Sequence, residues 1–337
     1  MKAVGYYTPQ AIEAAESLLD IELPEPVPGP HDLLVKVEAI SINPVDYKIR
    51  GGMTPPAGQA KVLGWDAAGV VKAVGSAVTS YKVGDAVYYA GALDRPGANS
   101  ELHVVDERLV GRKPQSLSFA EAAALPLTAI TAWELLFERL GVTYGDKQQT
   151  GSLLVINGAG GVGSILIQLA RRLTGLTVIA TASRPESIEW VKTMGAHHVI
   201  DHRQSMPEQL RALGIPQVEY VAGLTATDQH LPAIIELIAP QGHLALIDDP
   251  KQLDIVPFKR KSVTVAWELM FTRSLYQTAD QIAQQRLLNA VSELVDVGVL
   301  RTTLTAQDGP INAANLKRLH ALAESGKAVG KHVLAGF

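Results

Sequence analysis

The chain has 337 residues, of which 47% are hydrophobic and 19% are charged, with a formal net charge of −4 and no cysteine. This length is ample for two domains, and the lack of cysteine excludes disulfides, a thiolate nucleophile and cysteine-ligated zinc. The slightly acidic balance gives no electrostatic reason to expect nucleic acid or an anionic membrane as a partner, and no stretch is apolar enough to span a bilayer. Because the N-terminus shows no secretory leader, we expect a cytoplasmic protein.

The first part of the chain, to about residue 124, has the pattern of a β-rich domain. Short β-prone runs are separated by glycine and proline clusters and lie at 33–39, 69–74 and 86–89. Ser118 and Glu121 have the spacing of a capping box, which predicts that a helix begins at Ser118. A second helix is predicted after Pro126.

Beyond residue 150, predicted strands and helices alternate, which is typical of a doubly wound parallel sheet in an α/β protein. The strands are predicted at 153–156, 177–181, 199–200, 218–222 and 244–247. The helices between them are predicted from the glycine-rich turn to 173, at 185–194 and at 230–239. Two longer helices, at 280–297 and 311–324, and an apolar run at 330–334 complete the pattern.

The sequence Gly158-x-Gly160-x-x-Gly163 joins the first of these strands to its helix. Gly158 is expected to form a tight turn, Gly160 to let the backbone approach a pyrophosphate, and Gly163 to pack the helix against the strand. The free amides of the helix N-terminus, at Gly161 and Val162, would face the phosphates. The sequence therefore predicts a dinucleotide-binding site.

The residues after the second strand of this unit indicate which dinucleotide is bound. A site selective for NAD has an acidic residue there, whereas this sequence has Ala180-Thr-Ala-Ser-Arg184. A serine and an arginine offer donors to a 2′-phosphate, so we predict NADPH, with Ser183 and Arg184 as its readers. The alternative is that Arg184 is a solvated surface charge.

Several further motifs resemble those of the medium-chain dehydrogenase/reductase superfamily, and within it the zinc-free quinone oxidoreductase and enone reductase branch. The motifs span the chain and lie at 41–50, 63–69, 83–87, 97–101, 125–133 and 195–201, besides the glycine turn. The resemblance implies a GroES-like substrate domain formed by residues 1–124 and 268–337, and a Rossmann NADP-binding domain formed by residues 125–267. It also implies an active site in the cleft between them and a dimer or tetramer, of which we expect the homodimer.

The sequence departs from the zinc-dependent members of this superfamily, which carry a catalytic metal on Cys, His or Glu, and Cys. The matching positions here look like Asp46, Trp65 or Asp66, and Leu127. An indole and an isobutyl group cannot bind Zn²⁺, and one carboxylate does not make a three-ligand site. We therefore expect no metal.

The resemblance also bears on the cofactor site. Related NADPH reductases place a Lys and a Tyr near the 2′-phosphate, and the matching positions here are Ser187 and His202. Arg184 would then have to replace the missing lysine. Thr131 matches the residue that lies beside the nicotinamide in the family.

Without zinc, the chemistry that remains is hydride transfer from reduced nicotinamide to an electrophilic carbon, either of a quinone or of an α,β-unsaturated carbonyl compound. The oxygen that gains negative charge then needs donors. We assign this role to Asn43, Tyr47 and Lys48, the last because the resemblance implicates a lysine at this position, with Asp46 holding or orienting Lys48. The alternatives are that Asn43 only caps a turn and that Lys48 is a surface charge.

Four large apolar residues are candidates for the walls of the substrate pocket: Trp65, Trp267, Met270 and Phe271. The alternatives are that Trp65 belongs only to the core and that the other three belong to the core or a dimer interface.

The sequence thus predicts an NADPH-dependent, zinc-independent quinone reductase. Two alternatives remain open: an enone or alkenal double-bond reductase, and an NADPH-binding sensor or structural protein with little turnover.

Overall fold

The computed structural model describes residues 1–337 and divides into two compact units. The first unit comprises residues 1–130 and 271–337, and the second comprises residues 131–270.

The strands alternate with helices in the second unit and occur mostly in short runs in the first. In chain order they are β1 (Lys2–Tyr6), β2 (Leu19–Glu22), β3 (Asp32–Ser41), β4 (Lys61–Val62), β5 (Ala67–Val74), β6 (Ala86–Tyr89), β7 (Leu102–Asp106), β8 (Val110–Arg112), β9 (Ser152–Ile156), β10 (Thr177–Thr181), β11 (His198–Ile200), β12 (Val218–Gly223), β13 (Ile238–Leu246), β14 (Thr264–Trp267), β15 (Leu304–Gln307) and β16 (Lys331–Ala335).

The helices range from one turn to four turns. In chain order they are α1 (Pro44–Gly52), α2 (Phe119–Ala123), α3 (Pro126–Trp133), α4 (Gly161–Leu173), α5 (Pro185–Met194), α6 (Met206–Ala212), α7 (Thr227–Leu237), α8 (Thr272–Tyr276), α9 (Ile282–Asp296) and α10 (Ala313–Glu324). A π-helical stretch, Glu134–Arg139, continues α3. No helix combines the length and apolar character needed to cross a membrane.

The first unit is built on a seven-stranded sheet, in which β15, β16, β3, β5, β6 and β8 follow one another and β7 also pairs with β3. A smaller antiparallel sheet has the order β2, β1, β4. The long strand β3 is therefore the centre of the unit, since it pairs with β5, β7 and β16. This is the GroES-like, β-rich architecture that the sequence predicts.

Helix α1 lies in a region where the sequence suggested only strands and turns. Pro44 occupies its first turn, where the fixed φ of proline suits a helix, and the Asp46 carboxylate accepts the N–H of Asn43 at 2.8 Å. The helix is short and ends in two glycines, so it carries too few periodic apolar positions to be found from the pattern. The predicted capping box at the start of α2 is confirmed, because Ser118 and Glu121 exchange both hydrogen bonds.

The second unit is a six-stranded, wholly parallel sheet with the order β11, β10, β9, β12, β13, β14. Strand β9 is buried along its whole length, as its continuous apolar run predicts. The strand order reverses between β9 and β12, and in parallel sheets a ligand binds at such a reversal, at the carboxyl ends of the strands. The doubly wound Rossmann architecture is therefore confirmed.

In the glycine turn between β9 and α4, close packing requires glycine at two positions, Gly158 and Gly163. A Cβ on Gly163 would lie 2.5 Å from the Gly158 carbonyl oxygen, and a Cβ on Gly158 would lie 2.8 Å from the Ala180 Cβ. The left-handed residue of the turn is Asn157, with φ of 63°, so the tight turn expected at Gly158 begins one residue earlier. A Cβ on Gly160 would meet nothing closer than 3.7 Å.

The two glycines at the start of α4 make a matched test of this packing. We expect Gly163→Ala to lower the free energy of unfolding by about 1–3 kcal/mol, because the new methyl group forces backbone atoms apart. Gly160→Ala should change it by less than about 0.5 kcal/mol, because its surroundings are open. Urea unfolding of both variants measures the difference, and equal stabilities would contradict this account of the turn.

Candidate active site

A buried polar cluster in the first unit joins Lys331, at the start of β16, to the segment before α1. The Lys331 ammonium donates to the Ile42 carbonyl oxygen and to Asn43 Oδ1, each at 2.6 Å, and lies 3.1 Å from Asp66 Oδ2. All three N–H groups of the ammonium thus have acceptors. We call this group, comprising Asn43, Asp66 and Lys331, the lysine cluster.

Asn43 and Asp66 complete the lysine cluster from the other side. Asn43 Nδ2 donates to Asp66 Oδ2 at 2.7 Å and lies 3.5 Å from the Trp65 carbonyl oxygen. Asp66 Oδ1 accepts the backbone N–H of Leu127 at 2.7 Å. Because the amide of Asn43 is committed to protein groups at both ends, Asn43 fits a positioning role better than that of a donor to substrate.

The two aspartates near Lys331 have raised pKa values because they are buried. Burial raises the pKa of Asp46 to about 7, although the Asn43 N–H and the Lys331 charge work in the opposite direction. Burial likewise raises the pKa of Asp66, with Lys331 and the Leu127 N–H opposing it. Lys331 is thus a cation that acts on Asp46 in the fold, and the predicted link between Asp46 and Lys48 stays a prediction.

Tyr47 and Lys48 lie on the more accessible side of α1. Lys48 is exposed and Tyr47 is half-buried, whereas Asp46 is fully buried. Tyr47 lines a cavity of about 560 Å³ within the first unit, together with Gln10, Arg50 and Glu324. Of the four residues predicted to be catalytic, Tyr47 and Lys48 are thus the two with accessible polar groups.

The predicted substrate-pocket residues divide into buried and exposed members. Trp65 and Phe271 are buried in the first unit with their rings edge to face, 6.5 Å apart, and Trp65 donates to the Ala92 carbonyl oxygen. Met270, the last residue of the second unit, is buried as well. Trp267 is 52% exposed on β14, the edge strand of the parallel sheet.

The side chains at the positions matched to zinc ligands do not fit a zinc ion. The Trp65 indole donates a hydrogen bond and Leu127 offers no donor atom. Both oxygens of Asp66 are already used by N–H groups, and its charge is neutralised by Lys331. No group of three His, Cys, Asp or Glu side chains anywhere in the chain could hold a metal ion.

The glycine turn in the second unit fits a dinucleotide. No side chain caps the N-terminus of α4, so its first amides, at Gly161 and Val162, are available to phosphate. The space beside Gly160 would be filled by a Cβ. The turn is held from β10, because Thr181 accepts the Asn157 N–H through its hydroxyl and the Gly158 N–H through its carbonyl.

The residues predicted to read the adenosine end lie where strands β10 and β11 end. Ser183 and Arg184 follow β10, and Arg184 is 3.4 Å from Glu186, which lies in the first turn of α5. Arg203 follows β11, and its Nη2 donates to the Ser183 carbonyl oxygen at 2.7 Å. The Arg203 guanidinium is therefore anchored to the Ser183 backbone, and the Arg184 guanidinium is paired with Glu186. His202 hydrogen-bonds to Thr181 at 3.2 Å, on the same side of the sheet.

Two other predicted cofactor positions lie inside the second unit. Thr131, on α3, is buried and begins the unit. Ser187 occupies the position matched to the family's lysine and is also buried. Because serine carries no charge, this position supplies no cation for a phosphate.

Two residues of these sites escaped the sequence analysis, Lys331 and Arg203. Lys331 is the first residue of the mostly buried strand β16, and a lysine at the start of an apolar run is the signal that could have revealed it. Arg203 is tied to Asp201 through a side-chain ion pair two residues away, which resembles an ordinary surface pair in the sequence.

Comparisons with known proteins agree with this architecture. The alcohol dehydrogenase GroES-like domain family matches residues 29–129, and the zinc-binding dehydrogenase family matches residues 161–289. A zinc-type alcohol dehydrogenase-like protein from Staphylococcus aureus is 39% identical over 336 residues, covering 99% of both chains. The chain therefore belongs to the medium-chain dehydrogenase/reductase superfamily and is an oxidoreductase of that family.

Solved structures and shorter matches add detail. A Rhizobium etli structure, provisionally described as a zinc-dependent alcohol dehydrogenase, has 57% identity and a TM-score of 0.95, covering 100% of this chain and 98% of that chain. Escherichia coli quinone oxidoreductase complexed with NADPH has 25% identity and a TM-score of 0.84, covering 99% and 100%. The 2-methylene-furan-3-one reductase of Solanum lycopersicum is 44% identical over 186 residues, covering 53% of this chain and 46% of that protein.

The raised pKa of Asp46 predicts a pH-dependent stability. An aspartate whose pKa rises on folding makes its full contribution to the free energy of unfolding at pH values below its unfolded pKa. This contribution is lost as the pH rises through the folded pKa, which is about 7 for Asp46. Relative to Asp46→Asn, which keeps an acceptor for the Asn43 N–H, the wild type should lose about 1.4 kcal/mol per pH unit between the two pKa values.

Urea unfolding of both proteins from pH 5 to pH 8 measures this difference. The exposed Asp94 provides the control, since Asp94→Asn should follow the wild type at every pH. Parallel pH curves for wild type and Asp46→Asn would show that Asp46 is ionised in the fold.

Proposed function

We propose that this protein is an NADPH-dependent reductase that transfers a hydride to a quinone without a zinc ion. The observation that carries the proposal is the set of side chains at the three zinc-matched positions. They are the buried carboxylate of Asp46, either the Trp65 indole or the lysine-paired Asp66 carboxylate, and the isobutyl group of Leu127. Alcohol oxidation in this superfamily depends on a Lewis acid, so a substrate that is already electrophilic suits these residues better. The similarity to a quinone oxidoreductase supports this substrate class.

NADPH supplies the hydride when it is bound. The amides at the start of α4 would hold its pyrophosphate, and Gly160 would leave room for it. Ser183, Arg184 and Arg203 would bind its 2′-phosphate, because guanidinium groups form strong, paired hydrogen bonds with phosphate oxygens.

The residues of α1 would serve the substrate. Lys48 and Tyr47 would donate to the oxygen on which negative charge develops after hydride transfer. Asn43 would act as a positioning residue, because its contacts with Lys331 and Asp66 fix the entry into α1. The lysine cluster would thereby set the direction in which this helix presents Tyr47 and Lys48.

An enone or alkenal double-bond reductase is the second candidate. The observation that favours it is the 44% identity to the tomato 2-methylene-furan-3-one reductase over about half of the chain. Both reactions need the same donors to a developing oxyanion, so the residues proposed above serve either substrate.

The homodimer expected from the resemblance also stays a prediction, which sedimentation velocity tests directly.

The assignment of Arg184 can be tested by replacing its charge. Arg184→Gln should raise the KM for NADPH about tenfold and leave the KM for NADH unchanged, because a charged hydrogen bond to the 2′-phosphate is lost. Arg172→Gln, at the far end of α4, is the control and should alter neither value. A wild-type KM for NADH at or below that for NADPH would overturn the cofactor assignment.

The role of Lys48 can be separated from cofactor binding. Lys48→Ala should lower kcat/KM for a quinone by about 10²- to 10³-fold, because one donor to the oxyanion is removed, while the Kd for NADPH stays the same. The exposed Lys72 on β5 provides the control in Lys72→Ala. If turnover and substrate affinity of Lys48→Ala match the wild type, Lys48 has no part in the mechanism.

A further inference from the structure

Two histidines come together at the carboxyl ends of the parallel strands, beside the proposed 2′-phosphate site. His202 follows β11, and His230 lies in the first turns of α7. Their ring centroids are 5.9 Å apart and the rings meet at 66°. Both side chains are half-buried.

His202 is hydrogen-bonded into the framework of the glycine turn. Its Nδ1 lies 3.2 Å from Thr181 Oγ1, and the same hydroxyl oxygen accepts the Asn157 N–H at 2.9 Å. Neutral His202 can accept the hydroxyl proton, and protonated His202 can donate to the free lone pair of that oxygen. The histidine can therefore change its protonation state without losing this contact.

Charged groups surround the histidine pair from the neighbouring elements. Arg203 is held to Asp201 Oδ2 at 2.7 Å and reaches Ser183, so that Asp201 is already neutralised. Asp248 is likewise occupied, because it accepts the N–H and the hydroxyl of Thr227 at the start of α7. The charged groups that act on the two histidines are Asp201, Arg203, Asp228 and Asp248.

In the absence of a ligand both histidines favour the neutral form. Burial lowers the pKa of His202, and Arg203 lowers it further, whereas Asp201 raises it. Burial also lowers the pKa of His230, as does His202, against the effects of Asp228 and Asp248. A positive charge on His202 therefore opposes the protonation of His230.

We propose that His202 and His230 are specificity-determining residues that take up a proton when a 2′-phosphate binds beside Ser183 and Arg184. Preference for a 2′-phosphorylated adenosine over its unphosphorylated counterpart then strengthens as the pH falls. The inference rests on the proposed function, since it concerns the same adenosine end of NADPH.

Protonation of the histidines and protonation of the ligand's phosphate change the preference for the phosphorylated ligand in opposite directions as the pH falls. A phosphate monoester has a second pKa near 6, so acid converts the dianion to a monoanion that binds cations less well. A site made of arginine alone would therefore discriminate less at low pH. A site that gains imidazolium charge would discriminate more, because each added cation favours the phosphorylated ligand.

Calorimetric Kd values for adenosine 2′,5′-bisphosphate and for 5′-AMP, from pH 8 to pH 6, test the proposal without turnover. For the wild type, the ratio of the Kd for 5′-AMP to that for the bisphosphate should rise about threefold or more toward pH 6. His202→Gln and His230→Gln should each reduce this rise. His198→Gln is the control, because His198 lies at the opposite end of β11.

Three other outcomes would contradict the proposal in distinguishable ways. A wild-type ratio that is flat or falls toward pH 6 overturns the histidine inference and leaves the NADPH assignment intact. A rise that persists in both glutamine variants, with thermal unfolding showing that they are folded, also overturns it. Equal affinity for the two ligands at every pH overturns the NADPH assignment itself.

Discussion

The Lys331 ammonium is the interaction on which the candidate substrate-binding residues depend. Its three acceptors come from Ile42, Asn43 and Asp66, so one charge from β16 fixes both the entry to α1 and the segment after Gly64. Removing one partner of such a buried pair typically costs about 3–5 kcal/mol, because the remaining charge is left without compensation. The direction of α1, and with it the placement of Tyr47 and Lys48, therefore rests on a contact nearly 290 residues away in the chain.

The second unit uses a different physical device, the common direction of its strands. Because all six strands are parallel, their carboxyl ends lie along one edge, and the polar residues that follow them meet there. Thr181 joins the glycine turn to this edge by holding Asn157 and Gly158. The proposed phosphate readers and the histidine pair are therefore built on the same framework as the pyrophosphate turn.

Much of this arrangement can be predicted from the sequence, and the reason differs from element to element. The continuous apolar strand β9, the glycine spacing and the Ser118 capping box are local patterns, so they are visible without the fold. Lys331 is not visible in this way, because its partners are set by tertiary pairing. Arg203 is not visible either, because its local ion pair with Asp201 looks ordinary and its contact with Ser183 depends on the fold. The same limit hides the effect of Lys331 on Asp46, because these two residues are far apart in the chain and only the fold brings them together.

The measurement that tests the central claim most directly is NADPH oxidation by metal-stripped protein, with 1,4-benzoquinone, an alkenal and a simple alcohol–ketone pair as substrates. We expect full activity with the quinone or the alkenal after chelation, because the proposed hydride transfer uses no metal ion. The substrate that is reduced would also decide between the two candidate functions. Activity confined to the alcohol–ketone pair and restored by Zn²⁺ would contradict both the zinc-independent mechanism and the interpretation of Asp46, Trp65, Asp66 and Leu127.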